Sequence, residues 1–448
     1  MTSRVVAPLV VAGLILTSTF SAAYAETDFA LVGTHTFASQ QGTALGRSLR
    51  ELQRWNGQLY IGYGDIAANT GSPVGGIRVA PYDPQSAGFV DSGFSAPTEA
   101  ILNYRPIGDK LYALSDDPTG STPYSVLQGG SWQAAGSVFS QHVFDIATLD
   151  GTDIWLAGSF SDHRLHELPR STNGGASFGS ILYDRTCDVN PYTGNIYRGW
   201  GGSSYRFVAV YGGKLYVQRF NMYRGPRGYV KADGSMVWST GDTVFDDSWV
   251  YDAGHTRVYD PATGTFTDGP DFLPVNPNPN ASFAGYPNPA EISADTYRGS
   301  GWRPVEFGGK LVYLNALPTR QGLLSGAELV VAEMRNYGLL YSFDGSDVEL
   351  VRGGVNGLAS ESVIDFSIDE AGTTLYALHA DGQVYRTNDL ADWSYVASAP
   401  GNVCSLEILD SVLYAGGTEA QLYAMPIPEP ATLTLLAAGA CLLLRRRR

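Results

Sequence analysis

A short unit recurs along almost the whole chain, and this constrains the fold more than any other feature. Each copy is an apolar strand, a tight polar turn, then a strand opening on Leu-Tyr or a close variant. The copies are WNGQLYIG (Leu59, Tyr60), IGDKLYAL (Leu111, Tyr112), LDGTDIWLAG (Ile154, Trp155), VYGGKLYVQ (Leu215, Tyr216), EFGGKLVYL (Leu311), AGTTLYALH (Leu375, Tyr376) and DSVLYAGG (Leu413, Tyr414). A repeated unit of this size cannot bury its apolar face alone and must stack on its neighbours. The Gly-Gly, Asn-Gly and Asp-Gly turns supply the positive φ that two-residue hairpins need.

A second hairpin follows most copies, as in YSVLQGGSWQAAG, LLYSFDGSDVELV and GQVYRTNDLADWSYV. Four short antiparallel strands per repeat make a propeller blade. The spacing therefore predicts an all-β propeller of about seven four-stranded blades, with six or eight as alternatives. Most repeats lie 38 to 64 residues apart, but 96 separate Leu215 from Leu311. That gap predicts either an extra blade or an insertion over about 241–300, where NPNPNAS (Asn276–Ser282) is rich in Asn and Pro. The last unit holds about three strands, whereas FALVGTHTF (Phe29–Phe37) is an orphan strand at the other end. It is expected to complete the final blade, because closure removes an exposed sheet edge.

Two local motifs agree with this reading. STNGGASF (Ser171–Phe178) resembles the Asp-box of sialidase-type propellers, with Asn173 in place of the aspartate and Phe178 in place of the tryptophan. That box stabilises a hairpin and implies fold, not catalysis. RVYDPATGTFTDGP (Arg257–Pro270) resembles the outer hairpin of a kelch repeat.

The two ends read as addresses. Arg4, the apolar run Val5–Phe20 and the small-x-small pattern Ala23-Tyr24-Ala25 predict a signal peptide over 1–25, cut by signal peptidase after Ala25. At 427–448, Pro428-Glu429-Pro430 would stop a strand, an uncharged apolar run covers 431–444, and Arg445, Arg446, Arg447 and Arg448 would stay at an anionic leaflet. A 14-residue helix is about 21 Å long against the ~30 Å hydrocarbon core, so 431–444 is a marginal transmembrane segment. This order resembles the PEP-CTERM sorting signal of bacteria that make extracellular polymer. The resemblance implies cleavage by an exosortase-type membrane protease and delivery to the cell surface or extracellular matrix. The alternative is a terminal anchor that is never cut. The propeller domain then covers 26–426.

With Arg4, Glu429 and the terminal arginines set aside, 24 bases face 43 acids, a formal charge of -19. Such a surface repels phosphate backbones, which argues against nucleic-acid binding. Three cysteines, one of them Cys441 in the tail, cannot form a disulfide framework; Cys187 and Cys404 could pair only if the fold joins distant segments, and otherwise read as buried thiols. No phosphate loop, nucleophile elbow or zinc helix occurs. His163 and His166 fall on a strand where their side chains would diverge, which argues against a metal. Asp116-Asp117 and Asp246-Asp247 lack calcium-loop spacing and read as solvated turns, with structural calcium as the alternative. No metal ligand and no cofactor is expected.

Arginines enter the first strands of several units. YRGWGGSSYRFVAVYGGK carries Arg198, Trp200 and Arg206; YRGSGWRPVEFGGK carries Arg298, Trp302 and Arg303; LGRSLRELQRWNG carries Arg50; NYRPIGDK carries Arg105. First strands line a propeller's channel, the guanidinium fork suits carboxylates, and the tryptophans could stack on sugar rings. These residues form a candidate site for an anionic polysaccharide, unless the arginines serve to satisfy interior carbonyls and acids. Sialidases place an arginine triad on this fold, and YRPI (Tyr104–Ile107) resembles their Phe-Arg-Ile-Pro motif. No nucleophile pair can be assigned, so catalytic residues are not predicted. The favoured reading is a non-catalytic binding module for a polysaccharide or envelope partner. A glycan-active hydrolase or lyase and a matrix scaffold without a small ligand are the alternatives.

Overall fold

The computed structural model describes residues 29–65, 76–118, 122–138, 140–160, 167–182, 203–221, 228–230, 236–238, 256–270, 272, 300–316, 338–351, 363–379 and 381–427. The predicted signal peptide, Pro428-Glu429-Pro430, the 431–444 segment and the terminal arginines lie outside them, as do Cys187, His163, His166 and Asp246-Asp247. Among the described residues no helix is long and apolar enough to cross a membrane.

Strand β1 (Ala30–Thr34) is first in the chain and last in the ring. Blade one is β2 (Glu51–Trp55), β3 (Gln58–Gly62), β5 (Tyr82–Asp83) and β6 (Gly88–Phe89), with β4 (Ile77–Arg78) pairing β7 (Ser95–Ala96) outside it. Blade two is β8 (Ala100–Ile107), β9 (Lys110–Asp116), β10 (Tyr124–Gln128) and β11 (Ser131–Ala135). Blade three is β12 (Ser140–Thr148), β13 (Ile154–Phe160), β14 (Glu167–Ser171) and β15 (Gly179–Leu182). Blade four is β16 (Ser203–Tyr211), β17 (Lys214–Asn221), β20 (Thr256–Asp260) and β21 (Thr265–Asp268). Between its second and third strands stands the hairpin β18 (Gly228–Val230) and β19 (Met236–Trp238). Blade five is β22 (Ser300–Phe307), β23 (Lys310–Ala316), β24 (Gly338–Phe343) and β25 (Val348–Leu350). Blade six is β26 (Val363–Ile368), β27 (Leu375–His379), β28 (Gln383–Thr387) and β29 (Trp393–Ser398). Blade seven is β30 (Val403–Leu409), β31 (Val412–Gly417), β32 (Gln421–Pro426) and, outermost, β1.

The chain is thus an all-β propeller of seven four-stranded antiparallel blades, closed by its N-terminal strand. Closure pairs Leu31 with Tyr423 and Gly33 with Leu422, and His35 N–H adds a bond of 2.7 Å to the Ala420 carbonyl. The long interval after Leu215 forms no eighth blade among the described residues. It is taken up partly inside blade four, between β17 and β20, and partly between β21 and β22.

Every copy of the repeated unit is the hairpin from a first to a second strand. Neighbouring residues of a strand point to opposite faces, yet Leu59 and Tyr60, Leu215 and Tyr216, and Leu413 and Tyr414 are all buried. Both faces of each second strand are therefore covered, one by each flanking blade. Outer strands such as β11 and β21 alternate or face solvent. Bulges interrupt the first strands of six blades, as between Val143 and Asp145 or Val363 and Asp365. Each bulge re-aims side chains toward the adjacent blade, because a bulge shifts the alternation by one residue.

The motifs fall where the repeats place them. Ser171–Phe178 is the β14–β15 turn: Ser171 Oγ accepts from Gly175 N–H at 2.9 Å, and Asn173 Oδ1 accepts from Ser177 N–H at 3.0 Å. A related turn that the sequence reading passed over joins β28 to β29. There Thr387 Oγ1 accepts from Leu390 N–H at 2.9 Å, and Asp389 Oδ1 accepts from Asp392 N–H at 2.8 Å. The kelch-like segment is the outer hairpin β20–β21.

Candidate functional site

First strands carry charged side chains into the ring, and there acids meet the arginines. Arg303 occupies the β22 bulge with a positive φ of 52°, which turns its side chain inward. Its guanidinium is ion-paired to Asp365 of β26, lies 3.6 Å from Glu51 of β2, and reaches the Leu52 carbonyl at 3.5 Å. Asp365 also accepts from Phe366 N–H and Leu406 N–H, both at 2.8 Å. Glu407 of β30 accepts from Arg54 of β2 at 3.3 Å and from Ser367 of β26. Arg105 of β8 donates to Asp145 of β12 at 2.7 Å, and Asn103 donates to the Phe144 carbonyl at 3.1 Å.

These contacts tie blade to blade. Asp145 reaches on to the backbone of Val208 in blade four, and the Tyr211 hydroxyl donates to the Gly309 carbonyl in blade five. Glu51 accepts from the Tyr104 backbone in blade two. Polar links thereby join each blade to the next, and Arg303 spans from blade five to blade one. Burial pushes the Glu51 carboxyl up to about 7, against the pull of Arg303. Burial likewise raises Asp145, Asp365 and Glu407 above the ordinary carboxylate range, while their arginine partners hold them down. For Arg303, burial opposes the charge, but Asp365 and Glu51 keep it above its ordinary value.

The candidate arginines separate accordingly. Arg105 and Arg303 do stand on first strands, but each faces an interior acid rather than an open anion site. Arg50, one residue before β2, donates to the Gly64 carbonyl at 2.7 Å. Arg206 sits at the β16 bulge and Trp302 in β22 opposite Leu314. Arg198, Trp200 and Arg298 lie outside the described residues. The acids that complete the ring, Glu51, Asp145, Asp365 and Glu407, were not singled out from the sequence. A visible signal was an acid three to five residues before the hairpin turn in those units.

A second group lies where blades two and three meet. Asp116, Asp117 and His142 place one ligand atom each within 4.8 Å of one another, a set that could hold a metal ion. This corrects the reading of Asp116-Asp117 as a solvated turn: Asp116 is buried, its N–H bonded to Thr98 Oγ1 at 2.8 Å. Cys404 is buried as a thiol, 3.3 Å from the Leu49 carbonyl.

No protein-family model and no curated protein matches the chain. Among solved structures, it is similar to the computationally designed Ika8 protein, with 10% identity over 90% of this chain and 100% of that one, at a TM-score of 0.44. It is similar to virginiamycin B lyase from Staphylococcus aureus, with 7% identity over 86% and 97%, at a TM-score of 0.47. It is also similar to BamB from Moraxella catarrhalis, with 12% identity over 83% and 80%, at a TM-score of 0.36. All three scores fall below 0.5, and the propeller assignment rests on the strand pairing above.

Proposed function

We propose that this is an exported bacterial surface or matrix protein whose propeller acts without catalysis as a binding module for a polysaccharide or another envelope partner. Signal peptidase and an exosortase-type protease would process the two ends. The observation that carries the non-catalytic reading is that buried acids inside the ring pair with arginines, Arg303 with Asp365, Arg105 with Asp145 and Arg54 with Glu407. A glycan-active enzyme on this fold needs two carboxylates beside the arginines and open to the sugar. The acids beside Arg303 are sealed instead: Glu51 is 1% exposed, Asp365 2% and Glu407 5%, against 7% for Arg303 itself. With Arg105 and Arg303 committed to interior acids, an anionic polysaccharide would be held by other groups.

The test is thermal shift with neutral and uronic-acid polysaccharides, joined to intact-mass measurement of the native protein. A saturable rise is expected with at least one of them, worth about 2.7 kcal/mol at a hundredfold excess over Kd. No rise with any would favour the scaffold reading, and turnover of a glycan the enzyme reading. A native mass that still includes residues 1–25, or Arg445–Arg448, would overturn the proposed processing at that end.

A further inference from the structure

We propose that Asp116, Asp117 and His142 form a binding site for a divalent transition-metal ion, of the zinc or manganese class, clamping blade two to blade three. The residues come from two blades that, among the described residues, touch as strands at one register position, where Asp116 of β9 pairs with His142 of β12. Asp116 ends β9 and Asp117 follows it; had the strand continued, the two adjacent side chains would point to opposite faces and could not both reach one imidazole. Here they do, because Asp117 adopts a positive φ of 46°. For a non-glycine residue that conformation is costly, and it is kept where the surroundings over-determine it.

The donors are held in place beforehand. The Asp116 carbonyl accepts from Glu99 N–H at 3.0 Å and from Thr98 Oγ1, and its N–H donates to Thr98. The His142 ring is stacked on Phe144 with centroids 5.7 Å apart. Nδ1 of His142 contacts an Asp116 carboxylate oxygen and lies 3.8 Å from one of Asp117. An ion seated among the three would replace carboxylate–carboxylate repulsion with three bonds. Two carboxylates and an imidazole suit zinc or manganese, whereas calcium prefers an all-oxygen shell.

The experiment uses the untagged full chain, stripped with a chelator and titrated calorimetrically with Zn2+, Mn2+, Co2+ and Ca2+, with melts in parallel. The expected result is saturable binding of one Zn2+ per chain, a raised Tm, and Co2+ absorption bands of a mixed nitrogen and oxygen shell. Asp117→Asn and His142→Gln should each weaken Zn2+ binding by more than about tenfold, the loss already seen for partners one shell further out. Asp109→Asn, an exposed acid in the hairpin turn of the same blade, should leave it unchanged. Melts without metal verify that the variants fold, and Asp117→Asn keeps the shape of the side chain. Absence of saturable Zn2+, Mn2+ or Co2+ binding would overturn the proposal. So would equal binding by wild type and both site variants, or tighter binding of Ca2+ than of Zn2+.

Discussion

Arg303, on the first strand of blade five, is ion-paired inside the ring to Asp365 on the first strand of blade six. The same guanidinium lies 3.6 Å from Glu51 in blade one, so one side chain gathers three blades at the ring interior. Removing one partner of a buried ion pair leaves a charge with neither water nor counter-charge. Arg303→Met should therefore cost about 3–5 kcal/mol, read as a lower urea midpoint at unchanged slope. Adding Asp365→Asn and Glu51→Gln should recover part of that loss. Equal stability of Arg303→Met and wild type would show that the pair does not hold the ring.

Glu51 sets a pH dependence of definite sign. Its folded carboxyl is raised to about 7, above the ordinary 4.5, so the folded state binds its proton more tightly than the unfolded state does. Its contribution to stability is full below about 4.5 and is lost as pH rises through 7. Glu51→Gln removes this dependence. The stability of Glu51→Gln minus that of wild type should rise by about 3 kcal/mol between pH 4 and pH 8. Denaturation curves at both pH values measure it, and a pH-independent difference would refute it.

His35 acts in the opposite direction at the closure of the ring. Its Nδ1 accepts from Ala38 N–H at 3.0 Å and its Nε2 lies 3.1 Å from the Ala80 carbonyl, which links the segment after β1 to blade one. Burial lowers its pKa to about 4 from 6.5, so the fold selects the neutral ring. That stability is present above pH 6.5 and is lost as pH falls through 4. His35→Gln should flatten the acid limb of the Tm–pH curve while lowering its plateau. An acid limb of unchanged steepness would assign acid lability to other groups.

The closing strand should be indispensable. Without Phe29–Phe37, β32 becomes an unpaired edge, and the core loses Phe29 together with Val32 and Phe37, which pack against it. The truncated chain should lose cooperative melting and aggregate, as followed by scattering and calorimetry. A melt matching that of the longer chain would mean that β1 contributes little.

Legibility followed periodicity. Leu59-Tyr60 and its six counterparts marked all seven second strands, and Phe29–Phe37 marked the closure, because both signals are local and repeated. The interior charges were half legible. Arginine positions on first strands could be read, but their partners sit in other blades: Arg303 meets acids 62 and 252 residues away, Asp365 and Glu51, which only ring closure brings near. The Asp116–Asp117–His142 group was hidden for a different reason. Its acids stand at the end of β9 and just past it, where the left-handed backbone of Asp117, which no pattern in the sequence announces, sets its direction.

The hairpin of blade seven offers a test of turn chemistry. First-to-second strand turns use Asn56-Gly57, Gly212-Gly213 and Gly308-Gly309, all with positive φ. Blade seven instead places Asp410 at φ 52° and Ser411 at φ 59°, with no glycine. A left-handed conformation costs an ordinary residue roughly 1–2 kcal/mol, and glycine nearly nothing. The Asp410 cost is partly offset, since its N–H donates to Glu370 at 2.8 Å. Ser411 is the better target, because its side chain makes no hydrogen bond among the described residues and the Ile427 N–H uses only its carbonyl, at 2.9 Å. Ser411→Gly should therefore stabilise the protein by about 1 kcal/mol, the strain relieved less the greater freedom of glycine in the unfolded chain. For a domain of this size the gain is a Tm rise of about 1–3 °C. A lower Tm would mean that the two-residue turn is not strained at Ser411.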